Sequence, residues 1–364
     1  MIRNFLPGLC ICLLLPLTAT ASPPRVSADI APVHSLVAQV MEGAGKPDLI
    51  IPAGASPHGY SLRPSQAEAL SQADVVFWVG EELTPWLKSS LDNLAGSAIK
   101  VTLLKVSGIT LHGFREGATF EVHEHHDDEH GHEDEHAHEE HGHDDEHAHE
   151  GDGHKDGHDD GHDHGEHGHK DEDEDQDEHD HEEHGHKDEH AHGEHDPHAW
   201  LDPENAKTWL QTIARVLSEA DAANAATYKT NAANAIASLD DQIASIRSQA
   251  KKLHDIRFIV FHDAYQYFER RFEVEASGAI SMSDASDPSP ARVKEIRDTV
   301  TDLGIRCVFT EPQYNPEMVR TVFESTQVTT IGVMDPLGAD IETGKNHYTE
   351  LLEALVSSLN QCQG

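Results

Sequence analysis

The sequence has no apolar run of the roughly 20 residues that a membrane-spanning helix requires, so a membrane-embedded protein is disfavoured. Its most apolar run, LCICLLLPL, lies near the start, after Arg3 and before three small residues at 19–21. That order of an early cation, a short apolar core and small residues is typical of a secretory signal peptide. We therefore expect residues 1–21 to be a signal peptide and the mature protein to be exported.

Clusters of basic residues are also missing, although the formal net charge is −41. Residues 121–196 contain 34 Asp and Glu against three Lys, which gives −31 and leaves −10 for the rest of the chain. The remainder is an ordinary acidic globular surface. Because no basic patch could follow a phosphate backbone, nucleic-acid binding is disfavoured.

Cysteine is scarce, with four residues in the chain. Cys10 and Cys12 fall inside the expected signal peptide, and Leu9 stands where a lipid-attachment motif around Cys10 would need a small residue. Cys307 and Cys362 therefore remain in the mature chain. In an exported protein an isolated pair is expected to form a disulfide, and the alternative is two buried free thiols.

Short apolar runs alternate with helical patterns on both sides of a polar insertion, which is typical of α/β architecture. An Ala-rich pattern between the two groups predicts one long helix with polar residues around much of its surface. The fold class that we expect is two similar α/β lobes with largely parallel sheets, joined by this rigid helix. The predicted boundaries are 22–120 for the N-terminal lobe, 121–196 for the insertion, 197–220 for the end of the N-terminal lobe, 221–250 for the linker helix and 251–364 for the C-terminal lobe.

The insertion over residues 121–196 contains 24 of the 31 His and almost no apolar residues. It cannot offset its ordering entropy by burial, so we expect it to be disordered without metal. Imidazoles among carboxylates can form many overlapping ligand sets, none of them pre-organised, which predicts weak and quickly exchanging metal sites. A purely solubilising role is the alternative, but it would need only the acidic residues. The predicted low-affinity ligands are His123, His125, His126, His130, His132, His136, His138, His141, His143, His147 and His149.

Histidine is sparse outside the insertion, and three of these residues stand at strand ends or in rigid turns. His262 directly follows the apolar run RFIVF, His58 lies in a Gly/Pro loop after a strand, and His198 lies in a Pro-flanked turn. Asp335 ends a further apolar run. Ligands of open α/β sheets bind outside the carboxyl ends of strands, so a shared site would lie in the cleft between the lobes. Each residue alone could also be a cap or an ordinary surface residue.

Five segments of the chain carry a more specific signal, and they are, in order, SPHGYSLRPS, HDPHAWLDP, VFHDAYQYF, FTEPQ and DPLG. Together with the acidic His-rich insertion and the paired cysteines, they resemble the zinc-specific periplasmic solute-binding proteins of bacterial ABC importers (the ZnuA type, in the cluster A-I metal-binding family). The resemblance covers essentially the whole mature chain.

The resemblance implies that His58, His198 and His262 are zinc ligands in the interlobe cleft. It leaves the fourth ligand open between Asp335 and water, and Pro57 stands where several zinc-type relatives have a glutamate. Neutral imidazoles in a tetrahedral arrangement independently suit Zn²⁺. The resemblance also implies high-affinity Zn²⁺ capture in the periplasm, delivery to the membrane permease of a zinc ABC importer, a monomeric protein and no catalytic activity. In this scheme the insertion is a low-affinity zinc collector.

Three other functions compete with zinc import. Import of manganese or iron is disfavoured by His262, because manganese-specific relatives place a carboxylate there. A zinc hydrolase is disfavoured because the sequence has no His-Glu-x-x-His stretch and no nucleophilic serine elbow, and Glu311 is the nearest candidate for a general base. A periplasmic zinc buffer without a transporter would need no built cleft.

Overall fold

The computed structural model describes residues 22–115, 117, 119–120, 194–253, 255–281 and 288–363. The expected signal peptide and the expected low-affinity ligands from His123 to His149 lie outside these residues. Within the described part of the chain, no helix combines the length and the apolar character needed to cross a bilayer.

The N-terminal lobe contains a sheet of four parallel strands. Its elements before the insertion are β1 (Val26–Ala28), α1 (Ala31–Val40), β2 (Asp48–Leu49), α2 (Pro64–Gln72), β3 (Val75–Trp78), α3 (Pro85–Leu94) and β4 (Ile99–Thr102). The strand order is β2-β1-β3-β4. Every residue of β3 is buried, as expected for a central strand covered on both faces. Each helix carries a proline in its first turn, where the fixed φ of the ring favours helix initiation.

The chain returns from the insertion through one turn of 3₁₀-helix, Ala199–Leu201, into α4 (Pro203–Ala220). Asp202 caps α4, because its carboxylate accepts the backbone N–H of Glu204 at 2.9 Å. The long helix that the sequence predicts then follows as α5 (Ala225–Ala250). Its buried residues recur every three or four positions and form one stripe, while the rest of its surface is at least partly exposed. The stripe is made of Tyr228, Ala232, Ala235, Leu239, Ile243, Ile246 and Ala250.

The C-terminal lobe contains a second sheet of four parallel strands. Its elements are β5 (Phe258–His262), α6 (Gln266–Phe272), β6 (Gly278–Ser281), α7 (Pro290–Asp302), β7 (Cys307–Thr310), α8 (Pro316–Phe323), β8 (Thr330–Val333) and α9 (His347–Asn360). The strand order is β6-β5-β7-β8. Phe258 and Val260 of β5 face the main core, while Ile259 and Phe261 face a smaller core that includes residues of α7 and α8. This alternation shows that both faces of the sheet are covered.

The last helix, α9, packs against α1 of the N-terminal lobe and against α5. The hydroxyl of Ser35 in α1 donates to the carbonyl of Lys345 and accepts the backbone N–H of Tyr348, both at 3.0 Å. The buried Tyr348 hydroxyl donates to the carbonyl of Trp200 at 2.6 Å. The main hydrophobic core is therefore continuous from one sheet to the other, and two parallel-sheet α/β lobes with a long helix confirm the expected fold class.

Cys307, at the start of β7, and Cys362 form the disulfide that the sequence predicts, with their Cα atoms 5.6 Å apart. The bond joins a buried strand of the C-terminal sheet to the turn after α9. Closing a loop of 55 residues stabilises the fold by about 4 kcal/mol in the chain-entropy model.

Candidate metal centre

The structure brings together the three histidines that the sequence analysis selected. His58 lies in the loop after β2, His198 directly precedes the 3₁₀ turn at Ala199–Leu201, and His262 is the last residue of β5. One ring nitrogen from each residue lies within 4.8 Å of the other two. Within the part of the chain that the structure describes, no other group of three or more His, Cys, Asp or Glu side chains has this spacing.

The spacing between His198 and His262 already fits a bound metal ion. Their Nε2 atoms are 3.4 Å apart. In a tetrahedral zinc site, Zn–N distances of about 2.1 Å place the ligand nitrogens roughly 3.4 Å from one another. The ring centroids of these two residues are 5.2 Å apart, and the ring of His58 stands slightly further away, at 5.6 Å from His198 and 6.4 Å from His262.

A buried carboxylate orients each of the two closer rings. Nδ1 of His198 lies 2.7 Å from Asp196 Oδ1, and Nδ1 of His262 lies 2.7 and 2.8 Å from the two oxygens of Glu311. Both carboxylates are almost completely buried. Because each carboxylate accepts the Nδ1–H of its ring, the tautomer is fixed with the Nε2 lone pair directed at the shared centre.

The same carboxylates also bind the backbone of their histidines. Asp196 accepts the backbone N–H of His198 at 2.9 Å, and Glu311 accepts that of His262 at 3.2 Å. Each histidine is therefore held both at its ring and at its backbone. When ionised, the two carboxylates behind the rings also complement the charge of a divalent cation placed between the rings.

The loop that carries His58 is held by the N-terminal lobe. The indole N–H of Trp86 in α3 donates to the carbonyl of Pro57 at 2.7 Å. The ring of Trp86 also lies 5.9 Å from the ring of Tyr60, which exchanges a hydrogen bond with Gln66 in α2. The residue before His58 and the residue two positions after it are thus both tied to helices of this lobe.

The structure does not bring Asp335 into the histidine cluster. One oxygen of its carboxylate accepts the backbone N–H of Leu337 at 2.9 Å and the side-chain amide of Gln313 at 3.3 Å, and the other accepts the backbone N–H of Ala339. Asp335 therefore organises its own loop after β8, which is the capping role typical of an aspartate in a turn.

The candidate general base of the hydrolase alternative is also engaged. Both oxygens of Glu311 contact Nδ1 of His262, on the side of the ring opposite to Nε2. A general base has to reach the proton that it removes from a metal-bound water. The position of Glu311 favours orientation of the ring over that role.

The sequence patterns predict the three histidines but not the residues that hold them. Asp196 could have been recognised from its position two residues before His198, in a turn closed by Pro197. Glu311 is 49 residues from His262, and their contact depends on the pairing of β5 with β7. No local pattern indicates a contact at that separation.

Burial raises the pKa of Asp196 to about 7, although the backbone N–H of His198 and the charge of Arg115 oppose this effect. The carboxyl group of Asp196 thus titrates close to neutral pH in the metal-free protein.

The chain is similar to known proteins along nearly all of its length. A family model described as "Zinc-uptake complex component A periplasmic" (ZnuA) matches residues 26–362. The High-affinity zinc uptake system protein ZnuA of Brucella abortus (strain 2308) is 43% identical over 337 residues, which cover 93% of this chain and 91% of that protein. The protein of the same name from Paracoccus denitrificans (strain Pd 1222) is 40% identical over 351 residues, which cover 96% and 94%.

Solved structures share the fold. The crystal structure of a ZnuA matches with a TM-score of 0.65 at 18% sequence identity, over 94% of this chain and 100% of the other. A solute-binding protein of Pseudomonas aeruginosa in complex with Mn²⁺ matches with a TM-score of 0.63, also at 18% identity. At this level of identity the two likenesses show a shared fold, so the choice of metal has to be argued from the donor set of this chain.

Proposed function

The chain belongs to the zinc-uptake complex component A periplasmic family, and on that premise we propose that it captures Zn²⁺ at high affinity for an ABC importer. The ligands in this proposal are His58, His198 and His262, and Zn²⁺ is the transported substrate. Water takes the fourth coordination position in this proposal, because Asp335 does not belong to the group of ligand atoms that lie within 4.8 Å of one another and its carboxylate organises its own loop.

One observation carries the proposal: the Nε2 atoms of His198 and His262 face each other at 3.4 Å while buried carboxylates hold both Nδ1 atoms. Three neutral imidazoles and one water form a donor set that suits Zn²⁺. Manganese prefers more oxygen ligands, so the same donor set disfavours manganese import.

Location and partner follow from the family in this proposal. The protein acts in the periplasm after removal of residues 1–21, binds Zn²⁺ as a monomer and releases it to a membrane permease. Its role is that of a binding protein and not of an enzyme, consistent with the position of Glu311 behind the ring of His262.

The His-rich insertion acts as a zinc collector in this proposal. Its 24 histidines offer many weak sites on the same chain as the centre, and tethering of this kind raises the local concentration of bound Zn²⁺. The pre-organised histidines then compete successfully for the ion, since their carboxylate partners already fix two of the three rings.

A growth experiment tests the proposed function. In a host that lacks its own periplasmic zinc-binding protein, the wild-type gene and its cognate permease genes should restore growth in zinc-limited medium, and a His198→Ala variant should not. Loss of one of three imidazoles leaves too little affinity to compete for scarce Zn²⁺.

The growth experiment also needs parallel cultures in manganese-limited medium. Equal rescue by wild type and His198→Ala in zinc-limited medium, or rescue confined to manganese-limited medium, would contradict zinc import. Measuring cellular zinc in the same cultures separates import from periplasmic storage, because a buffer without a transporter leaves the cytoplasmic zinc content unchanged.

Zinc affinity should fall as the pH drops below about 7. Burial holds the pKa of Asp196 at about 7 in the metal-free protein, so the carboxyl group is increasingly protonated below that pH. Bound Zn²⁺ favours the ionised carboxylate and neutral imidazoles, so binding releases protons. For each proton that binding releases, the logarithm of the zinc association constant falls by up to one for every unit by which the pH is lowered. Competition titrations between about pH 5.5 and 8 measure the slope. An affinity independent of pH across this range would contradict the assigned ligands.

A further inference from the structure

The chain segments before and after the His-rich insertion meet at a single hydroxyl group, that of Tyr267. Tyr267 of α6 accepts the backbone N–H of His112 at 3.0 Å and donates its O–H to the carbonyl of Asp196 at 2.8 Å. The backbone N–H of Asp196 in turn donates to the carbonyl of His112 at 2.9 Å. These three hydrogen bonds close a junction between the segment that leaves for the insertion and the segment that returns from it.

The junction lies directly behind a metal-binding histidine. Asp196, only 2% exposed, is the residue whose carboxylate holds both the backbone N–H and the Nδ1 of His198. Tyr267 is 1% exposed, and the ring of His112 packs against it with the centroids 4.7 Å apart. A displacement of the Asp196 backbone therefore moves the carboxylate that sets the His198 ring.

Neighbouring residues of α6 reinforce the junction. Gln266 donates its amide to the carbonyl of Gly113 at 3.3 Å. Glu269, almost completely buried, forms a salt bridge with Arg115 at 2.6 Å. The guanidinium of Arg115 also binds both oxygens of Asp263, the residue after His262.

A second ion pair holds the segment that follows the insertion. Arg271 forms two hydrogen bonds to the carboxylate of Asp202, at 2.8 and 2.7 Å. One short helix of the C-terminal lobe thus holds the chain on both sides of the insertion, from residue 112 to 115 and from residue 196 to 202.

We propose that α6 is a clamp on the chain segments before and after the insertion, residues 112–115 and 196–202, and that Tyr267 is a positioning residue that keeps Asp196 and His198 in the geometry for zinc binding. The inference rests on the proposed function, since it concerns the same site. Tyr267 does not contact the ion. It acts through the Asp196 backbone on the carboxylate that orients the His198 ring.

The clamp matters because the insertion is long. Bringing the two ends of a long segment together costs loop-closure entropy, which grows with the length of the segment, so the flanking residues need contacts that hold them in place. Without the Tyr267 hydroxyl, the half-buried backbone N–H of His112 and the buried carbonyl of Asp196 would each lose a partner. The returning segment would then be free to shift, and the His198 ring would shift with it.

A Tyr267→Phe variant of the full-length protein tests the proposal with Zn²⁺ as the probe. The expected result is a rise of about three- to tenfold in the dissociation constant of the tightest Zn²⁺, because loss of a direct outer partner of a metal ligand costs about ten- to a hundredfold and Tyr267 acts one residue further from the ion. The matched control is Tyr228→Phe in α5, which removes another buried hydroxyl, one that donates to Asp221 at 2.9 Å. This control should leave the zinc dissociation constant unchanged.

Amide hydrogen exchange provides a second measurement. In Tyr267→Phe, the amides of His112 and Asp196 should exchange faster than in wild type, and in Tyr228→Phe they should not. Equal zinc affinities in the two Phe variants, or unchanged exchange at His112 and Asp196, would overturn the clamp.

A His198→Ala variant, titrated in parallel, separates this inference from the proposed function. Lower zinc affinity in His198→Ala with unchanged affinity in Tyr267→Phe refutes the clamp alone. Unchanged affinity in His198→Ala refutes the site itself and the clamp with it.

Discussion

Replacing His262 with Ala should lower the affinity for the tightest Zn²⁺ by roughly a thousandfold or more, because a direct ligand is worth more than the ten- to a hundredfold that its outer partners contribute. The substitution removes one of three imidazoles. It also leaves the carboxylate of Glu311, which is 3% exposed, without the Nδ1–H that it accepts. A buried carboxylate that loses one of its hydrogen-bond donors is destabilised, so the remaining two histidines would be less well organised.

The measurement is a competition titration against a chromophoric zinc chelator, made on protein without the insertion so that weak sites do not obscure the tight one. His34→Ala is a matched control, since it removes another buried imidazole, one whose Nε2 lies 3.1 Å from the carbonyl of Pro47. We expect the control to bind Zn²⁺ as wild type does. A His262→Ala protein with wild-type affinity would remove this residue from the site.

The Asp335→Asn variant should be measured in the same titration, because its zinc affinity distinguishes water from Asp335 as the fourth ligand. The carboxylate of Asp335 accepts two backbone N–H groups within its own loop, at Leu337 and Ala339. If water is the fourth ligand, the substitution should change the zinc affinity by no more than a few-fold, through the loop alone. A loss close to that of His262→Ala would instead make Asp335 a ligand.

The sequence predicted the elements of the fold because local patterns determine them. Apolar runs such as that of β3 are buried on both faces, and proline and aspartate mark helix starts, as Asp202 does for α4. The long helix begins at Ala225 and not at residue 221, because Asp221 instead binds the side chains of Asn224 and Tyr228. Side-chain contacts of this kind shift a boundary by a few residues without changing the pattern around it.

The candidate site could be predicted only in part. The histidines stand where strand ends and rigid turns place them, and their positions in the sequence were informative for that reason. Their partners depend on contacts between distant residues, as for Glu311 with His262 and for Tyr267 with Asp196, 71 residues apart. Nothing in the local sequence distinguishes these residues from other buried polar groups, so only the folded chain identifies them.

Deleting residues 121–193 should reduce the zinc bound at saturation to one ion per protein while leaving the tightest site nearly intact. The deleted segment carries 23 of the 31 histidines and none of the residues of the proposed site. The point where the deletion ends is critical. Extending it to residue 196 would also remove Asp196, which holds His198 at two atoms, and should lower the affinity of the tight site by about ten- to a hundredfold.

Equilibrium dialysis with metal analysis gives the stoichiometry, and competition titration gives the affinity of the remaining site. The matched control keeps the length and the acidic residues of the insertion but replaces its 23 histidines with glutamine. Because the weak sites are assigned to imidazoles, this variant should bind as little Zn²⁺ as the deletion does. If it retains the stoichiometry of wild type, the carboxylates are the collecting groups. If the deletion to residue 193 abolishes tight binding, the site lies in the insertion and not between the lobes.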